Sequence, residues 1–357
     1  MDYNIVTLHR ANNYGAVLQC YALKEFISKL GYSVGVYDSK QIKAKTPFSI
    51  RNIIINSANS LFYFLHYNDF NNVKIKYNDF AEEYLNINNN RDAEVFIAGS
   101  DQIWNPIVYN SDFYLRFVDQ NSVKASYAAS IGVSSIPITK RKYYYSLLHS
   151  FDRISVREEQ AKNDLSCILN RKDIRVDLDP VFLLNKEEWG YLADQVKKPI
   201  KGKYILMYIL HVPKNLNALS KWLKRKIGAK LVLIDISGYK GITIHCDQRL
   251  YNIGPIDFIS LIKNSEAVIT TSFHGTAFSL LFEKEVYSIL NSSFPSRISN
   301  LSNKLCFPIV DDNQYKFSRI KYSKAFIENE LEEQRKSSMK FILDLRNLSV
   351  ERHERNK

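Results

Sequence analysis

The sequence predicts an α/β protein with parallel, doubly wound sheets in two domains. Short apolar runs alternate with stretches of helical periodicity from the first residues onward, an order typical of β–α–β units. The same alternation starts again near residue 204. The length of 357 residues also exceeds that of one ordinary domain, about 100–200 residues.

The first β–α–β unit lies at the N-terminus. Residues 3–8 and 33–37 are apolar runs that predict strands. Between them, apolar side chains recur at helical spacing up to Gly31, which predicts a helix that ends there. The polar residues 9–15 end the first strand and open this helix.

Residues 40–90 fit this pattern poorly, because they are basic, Asn-rich and aromatic. We interpret them as an excursion with one or two helices, either above an active-site cleft or as a surface insertion. After residue 90 the alternation of predicted strands and helices resumes. The predicted elements up to residue 184 are strands at 93–98, 125–130, 153–156 and 174–178, and a helix at 158–169.

The second half repeats the scheme. The polar, basic residues 185–203 predict a hinge between domains. We therefore expect an N-terminal domain at 1–184, a C-terminal domain at 204–322, and an amphipathic helix and tail at 323–357. The predicted elements of the second domain are strands at 204–210, 230–236 and 267–270, and helices at 216–227, 256–262 and 277–282.

Composition excludes several classes of protein. The chain is 45% hydrophobic with a net charge of +12, which excludes disordered and collagen-like chains. No apolar run is long enough to span a membrane, and no secretory signal is recognisable. The four cysteines lie far apart, as expected for a cytoplasmic protein. Lys and Arg are scattered, so we expect no nucleic-acid partner.

The familiar cofactor motifs are missing from the sequence. It contains no G-x-G-x-x-G, Walker A, H-E-x-x-H or G-x-S-x-G segment. No His, Cys or Asp cluster has metal-ligand spacing. We therefore expect neither a metal nor a bound cofactor.

Polar or small residues follow five predicted strands, and in parallel sheets such strand ends form ligand sites. His274, beside Gly275 and with Thr276 as a candidate N-cap, is either a general acid–base or a residue that caps a helix. Arg157 either clamps an anion or forms an ion pair with Glu158 or Glu159.

Other candidates carry the same kind of ambiguity. Asp101 either accepts a proton or a hydrogen bond from a substrate hydroxyl or forms an Asx turn. Trp104 either stacks on a sugar or fills the core. Arg297 is a second candidate anion contact or a surface arginine. The segment from Asn12 to Gly15 has good geometry for binding phosphate or substrate.

Seven segments together resemble the polysaccharide pyruvyl transferase family, over residues 5–311. They occur in order and in register: NNYGAVLQ from Asn12, GSDQIWN from Gly99, SYAASIG from Ser126, SVRE from Ser155, DPV from Asp179, TSFHG from Thr271 and SRI from Ser296.

The resemblance implies two facing Rossmann-like domains, similar to GT-B glycosyltransferases, with an active site in the interdomain cleft. It also implies transfer of a pyruvyl group from phosphoenolpyruvate to a sugar, giving a pyruvate ketal on a surface glycan. The N-terminal domain would then be the acceptor side and the C-terminal domain the donor side. Many members have an arginine at the position of Ser272, so this chain lacks one expected anion contact.

On this basis we assign roles to the candidates. His274 and Asp101 are the predicted catalytic residues. Residues predicted to bind the donor are Arg157, Ser272, Gly275, Thr276 and Arg297. Residues predicted to bind the glycan or lipid-linked saccharide acceptor are Asn12, Asn13, Tyr14, Gly15, Ser100 and Trp104.

Two alternatives and one further partner stay open. A glycosyltransferase of the same architecture would use a nucleotide-sugar donor. A glycan-binding relative would have lost donor binding, which Ser272 makes conceivable. The net charge and the basic, aromatic residues 40–76 also predict a peripheral contact with the inner face of an anionic membrane.

Overall fold

A computed structural model of the chain describes residues 1–10, 12–39, 66–107, 110–197, 200–236, 244–290 and 296–355. The chain divides into two compact units. Unit 1 comprises Met1–Ala44, Asp79–Leu184 and Glu328–Lys357, and unit 2 comprises Lys45–Asn78 and Asn185–Ile327. Most of the 40–76 segment predicted to contact a membrane, residues 40–65, lies outside the described residues.

The described strands and helices alternate along the chain. The strands are β1 (Tyr3–Val6), β2 (Val34–Tyr37), β3 (Ile87–Asn88), β4 (Val95–Ala98), β5 (Val123–Ser126), β6 (Ser155–Val156), β7 (Arg175–Val176), β8 (Tyr204–Tyr208), β9 (Lys230–Ile234), β10 (Gln248–Leu250), β11 (Ala267–Thr270) and β12 (Glu285–Ser288). The helices are α1 (Tyr14–Lys29), α2 (Tyr67–Tyr84), α3 (Arg141–Leu148), α4 (Glu159–Leu169), α5 (Lys186–Ala193), α6 (Leu216–Ile227), α7 (Pro255–Asn264), α8 (Phe273–Leu281), α9 (Ser296–Leu305) and α10 (Lys324–Arg355).

Unit 1 contains a parallel sheet in the order β3-β2-β1-β4-β5. Its central strands β1 and β4 are completely buried, as expected for a parallel sheet covered on both faces. A short parallel pair, β6 and β7, lies beside β5, to which it is linked by the bridges Ala125–Arg153 and Ala129–Val156. The strand order reverses between β1 and β4, and ligands of such sheets bind at this point.

The C-terminal helix α10 packs on unit 1 through its later turns. The hydroxyl of Tyr3 donates to the carbonyl of Ile342 (2.8 Å), and those of Tyr127 and Ser338 lie 2.7 Å apart. The amphipathic helix predicted within residues 323–357 is a helix of 32 residues that spans nearly all of that segment.

Unit 2 repeats the topology with the sheet order β10-β9-β8-β11-β12, again all parallel. The order reverses between β8 and β11. Residues 185–203, predicted as a hinge, contain α5, which starts with a capping box of Asn185 and Glu188. Trp189 of this helix is fully buried, with its ring edge-to-face against Phe278 (4.8 Å between centroids).

The α/β class with parallel sheets is thus confirmed. The sequence reading missed β3, β10 and β12, which are short or lie at a sheet edge, where the apolar pattern is weak. It also placed the start of α8 at residue 277, whereas the helix begins at Phe273. His274, predicted to precede the helix, therefore lies in its first turn.

Candidate functional site

A buried ion pair lies at the carboxyl end of β6 in unit 1. Nη1 of Arg157 donates to Oδ2 of Asp179 over 2.5 Å, and both side chains are almost fully buried. Glu158 Oε1 lies 3.7 Å from Nε of Arg157 and accepts a hydrogen bond from the Ser130 hydroxyl (2.5 Å). Burial disfavours the charged guanidinium, but Asp179, Glu158 and Asp101 outweigh it and raise the pKa of Arg157.

This geometry corresponds to the ion-pair interpretation of Arg157. Of the acids named from the sequence, Glu158 does lie beside it, but the closest carboxylate is that of Asp179, 22 residues further along the chain. Carboxylates around the guanidinium neutralise its charge, so a second anion gains less from it.

Ser100 follows β4 and is fully buried beside the same pair. Its hydroxyl lies 2.9 Å from the carbonyl oxygen of Ala128 and 3.1 Å from Asp179 Oδ2. Its own carbonyl accepts a hydrogen bond from Thr7, which follows β1 (2.9 Å). The ends of β1, β4 and β7 are thus tied together, with Ser100 in a structural position rather than one that faces an acceptor.

Asp101 is positioned by an unusual backbone conformation. Its φ is +69°, in the left-handed region that glycine and, less often, asparagine and aspartate adopt. Its Oδ1 accepts a hydrogen bond from the main-chain N–H of Gln102 (2.9 Å). Asp101 lies just beyond β4, where the strand order of this sheet reverses, and its contact with substrate stays a prediction.

Trp104 lies in the core of unit 1. It is fully buried, its indole N–H donates to the carbonyl of Phe113 (3.1 Å), and its ring stacks on Tyr114. The core-filling interpretation therefore describes this structure, and no face of the indole is open to a sugar.

The segment from Asn12 to Gly15 opens α1. Asn13 is the N-cap residue, and its side chain accepts a hydrogen bond from the N–H of Ala16 (3.3 Å). Asn12 and Asn13 are exposed, whereas Tyr14 and Gly15 are buried. Of these four residues, the two asparagines offer polar groups to a ligand.

In unit 2, α8 begins directly after β11, where the strand order reverses. Ser272 is its N-cap: the hydroxyl accepts a hydrogen bond from the N–H of Gly275 (3.3 Å). Thr276, the predicted cap, instead lies inside the helix, where its hydroxyl donates to the Ser272 carbonyl (3.0 Å) and contacts Ser288 (2.7 Å). Helix N-termini attract anions, because their N–H groups and dipole are positive.

Gly275 is required by close packing in this first turn. A Cβ at this position would lie 2.5 Å from the hydroxyl of Thr270 and 3.1 Å from the ring of Tyr208. The Thr270 hydroxyl is itself fixed, since it donates to the Tyr208 carbonyl (2.7 Å). Burial raises the pKa of the Tyr208 phenol, and a hydrogen bond with Ser272 partly opposes that shift.

His274 lies in the first turn of α8. It is 7% exposed, and its ring contacts that of Phe273 edge-to-face, with 5.2 Å between centroids. Since the capping side chain is that of Ser272, the alternative that His274 caps the helix does not describe this structure. Arg297 lies in the first turn of α9 and is half-buried.

The sequence reading gave no role to Asp179 as the partner of Arg157, or to Ser130 as that of Glu158. Asp179 and Ser130 could have been singled out, since both lie just after strands, but sequence spacing alone does not pair residues that follow different strands.

In the part of the chain that the structure describes, no cluster of three His, Cys, Asp or Glu side chains could hold a metal. Over the same residues, no helix is both long and apolar enough to cross a membrane.

Comparisons with known proteins agree on one family and one fold. Residues 13–293 match the family described as polysaccharide pyruvyl transferase. A provisionally assigned UDP-N-acetylglucosamine 2-epimerase from Listeria monocytogenes superposes with a TM-score of 0.50 at 13% identity, covering 94% of this chain and 89% of its own. The UDP-GlcNAc 2-epimerase from Neisseria meningitidis gives 0.48 at 13% identity, covering 97% and 94%. No curated protein matches the sequence. At 13% identity, the likeness to the Listeria structure shows the GT-B fold alone.

Proposed function

The chain belongs to the polysaccharide pyruvyl transferase family, and we propose that it transfers a pyruvyl group from phosphoenolpyruvate to a sugar of a bacterial surface polysaccharide or its lipid-linked precursor. The product would be a cyclic pyruvate ketal that bridges two sugar hydroxyls. The residues at the strand-order reversal of each sheet support this proposal.

The reaction makes definite demands on the protein. The methylene carbon of the enol phosphate takes a proton and becomes a methyl group, which leaves an oxocarbenium-like centre at C2. One sugar hydroxyl attacks that carbon, inorganic phosphate leaves, and the second hydroxyl closes the ring. Of the two hydroxyl protons released, one restores the general acid that protonated the methylene carbon, and the other leaves with the phosphate. A general acid–base and a site for two anionic groups are therefore needed.

The observation that carries the proposal is the N-terminus of α8. A carboxylate or phosphate placed there meets main-chain N–H groups and the positive end of a helix. His274 lies in that same first turn, and histidine is the side chain that most often acts as a general acid–base. In this proposal Ser272, Gly275, Thr276 and Arg297 surround the donor.

In unit 1, Asp101 would contact the reacting hydroxyl of the acceptor sugar, and the exposed Asn12 and Asn13 would make further polar contacts with that sugar. Arg157 then acts as a positioning residue. Through Asp179 it fixes the ends of β4 and β7 that hold Asp101 in place.

Two measurements on the purified protein test this function. In a thermal-shift titration, phosphoenolpyruvate at about tenfold above its Kd should stabilise the fold by about 1.4 kcal/mol, whereas UDP and GDP should not. Addition of saccharide acceptors should then release phosphate from phosphoenolpyruvate in proportion to ketal formed. Stabilisation by a nucleotide alone would reject the pyruvyl donor in favour of glycosyl transfer.

A further inference from the structure

An exposed surface of unit 1 combines isoleucine, tyrosine and lysine side chains, which we call the tip surface: Ile107, Ile138, Lys140, Lys142, Tyr143 and Tyr145. Ile107 and Ile138 are 83% and 81% exposed, although isoleucine is among the residue types most often buried. Tyr143 and Tyr145 are 39% and 50% exposed. Tyr143 packs edge-to-face on Tyr144 and Tyr145 stacks on His149, and both rings keep these exposed fractions.

The tip surface is built on two loops that contact each other. Ile107 lies in the loop after β4, and Ile138 lies in the segment between β5 and α3. The main-chain N–H of Trp104 in the first loop donates to the carbonyl of Ser130 in the second (3.2 Å), and the Tyr144 hydroxyl donates to the Trp104 carbonyl. Gly132 has a φ of +64°, and a Cβ there would meet Gln102 of the first loop at 2.4 Å.

Both charged residues of the tip surface, Lys140 and Lys142, are basic. Residues 133–151 contain Lys140, Arg141 and Lys142 and no acidic residue. Lys140 extends over the ring of Tyr143, with Nζ 5.7 Å from its centroid. The nearby Asp164 is buried and accepts from the Ser135 hydroxyl (2.9 Å) and the Ile136 N–H (2.7 Å), so its carboxylate anchors the loop.

We propose that the tip surface docks this protein on an anionic membrane. Exposed isoleucines can enter the acyl boundary, tyrosines prefer the headgroup level, and lysines attract anionic headgroups. Charge complementarity selects an anionic bilayer, and the exposed isoleucines favour a bilayer over a soluble polyanion. The loops follow the carboxyl ends of β4 and β5, so the membrane contacts the edge of unit 1 that carries Asp101.

Sedimentation of the full chain with sucrose-loaded vesicles tests the proposal without any donor or acceptor. Vesicles of phosphatidylcholine with about 30% phosphatidylglycerol should bind the protein at about 50 mM salt, and pure phosphatidylcholine should bind it far less. Lys140→Glu/Lys142→Glu and Ile107→Ser/Ile138→Ser should each lower the partition coefficient about tenfold or more. The isoleucine variant should also lower the binding that persists at about 500 mM salt.

The matched control is Lys221→Glu/Lys226→Glu on exposed positions of α6, which changes the net charge by the same amount in unit 2. It should keep most of the binding. The proposal is overturned if the control loses as much binding as the lysine variant of the tip surface, since binding would then follow net charge. It is also overturned if the isoleucine variant sediments like the wild type, or if the wild type does not sediment with anionic vesicles. Circular dichroism of each variant verifies that it is folded.

Discussion

Nη1 of Arg157 donates a hydrogen bond to Oδ2 of Asp179 over 2.5 Å, with both side chains almost fully buried. The pair joins the residue that follows β6 to the residue that follows β7. Because Ser100 also lies 3.1 Å from Asp179, the end of β4 belongs to the same network. A buried ion pair thus fixes the edge of unit 1 on which Asp101 is held.

Replacement of Asp179 by asparagine should destabilise unit 1 strongly. The change removes the closest of the carboxylates that neutralise the buried Arg157 and leaves Glu158, 3.7 Å away, as the nearest remaining one. The loss should therefore approach about 3–5 kcal/mol, the usual cost of breaking a buried ion pair. Asp173→Asn is the matched control, because Asp173 pairs with Arg171 and its side chain is half exposed. That pair should be worth at most about 1 kcal/mol. Urea unfolding monitored by circular dichroism measures both, and equal losses would contradict the importance given to burial.

Two substitutions of Ser272 separate its capping role from the proposed donor site. Ser272→Ala removes the acceptor for the Gly275 N–H and should cost about 0.5–2 kcal/mol of stability. Ser272→Asp keeps an N-cap acceptor and places a negative charge where helix N-termini favour it, so stability should be retained. The same charge repels an anionic donor, so the aspartate variant should bind phosphoenolpyruvate at least about tenfold more weakly.

The readout is a thermal melt with and without phosphoenolpyruvate. If the aspartate variant gains as much from the ligand as the wild type, the donor does not lie at the N-terminus of α8. If instead the alanine variant melts like the wild type, the cap contributes less than its geometry indicates.

The sequence predicted much of the fold because the central strands of both sheets are continuous apolar runs. The limits of α6 and β11 were predicted to the residue, and the strand ends located His274, Arg157 and Asp101. Local patterns suffice where burial on both faces of a parallel sheet dictates composition.

What the sequence did not predict depends on contacts between distant residues. The segment around Thr271 contains several good N-caps, and only the structure shows that Ser272 accepts the hydrogen bond of the Gly275 N–H. A tryptophan ring such as that of Trp104 can stack on a sugar, yet its contacts with Phe113 and Tyr114 place it in the core. Neither outcome is encoded in a local pattern.

His274→Gln should lower turnover with phosphoenolpyruvate and a competent acceptor by about 10²–10⁴, the usual contribution of a general acid–base. Glutamine keeps a polar side chain of similar length in the first turn of α8, so binding of phosphoenolpyruvate in a thermal melt should persist. His245→Gln is the matched control, since His245 is exposed in the same unit. Phosphate release that is unaffected by the His274 change would remove this residue from the proposed chemistry.

His9 should make the protein less stable as the pH falls below neutral. Burial lowers the pKa of His9, and its contacts with Thr7 and Asp38 oppose that shift only in part. The unfolded chain, with a histidine pKa near 6.5, then binds a proton that the folded chain rejects. The free energy of unfolding therefore declines from about pH 6.5 downward until the lowered pKa of the folded state is reached.

His9→Gln should flatten this decline in urea titrations between about pH 7 and 5, whereas His149→Gln, on an exposed position, should leave it unchanged. Burial also lowers the pKa of His211 in unit 2, which contributes a decline of the same sign, so the His9 variant should flatten the slope in part. An unchanged slope in that variant would show that His9 takes up its proton in the folded protein as readily as in the unfolded chain.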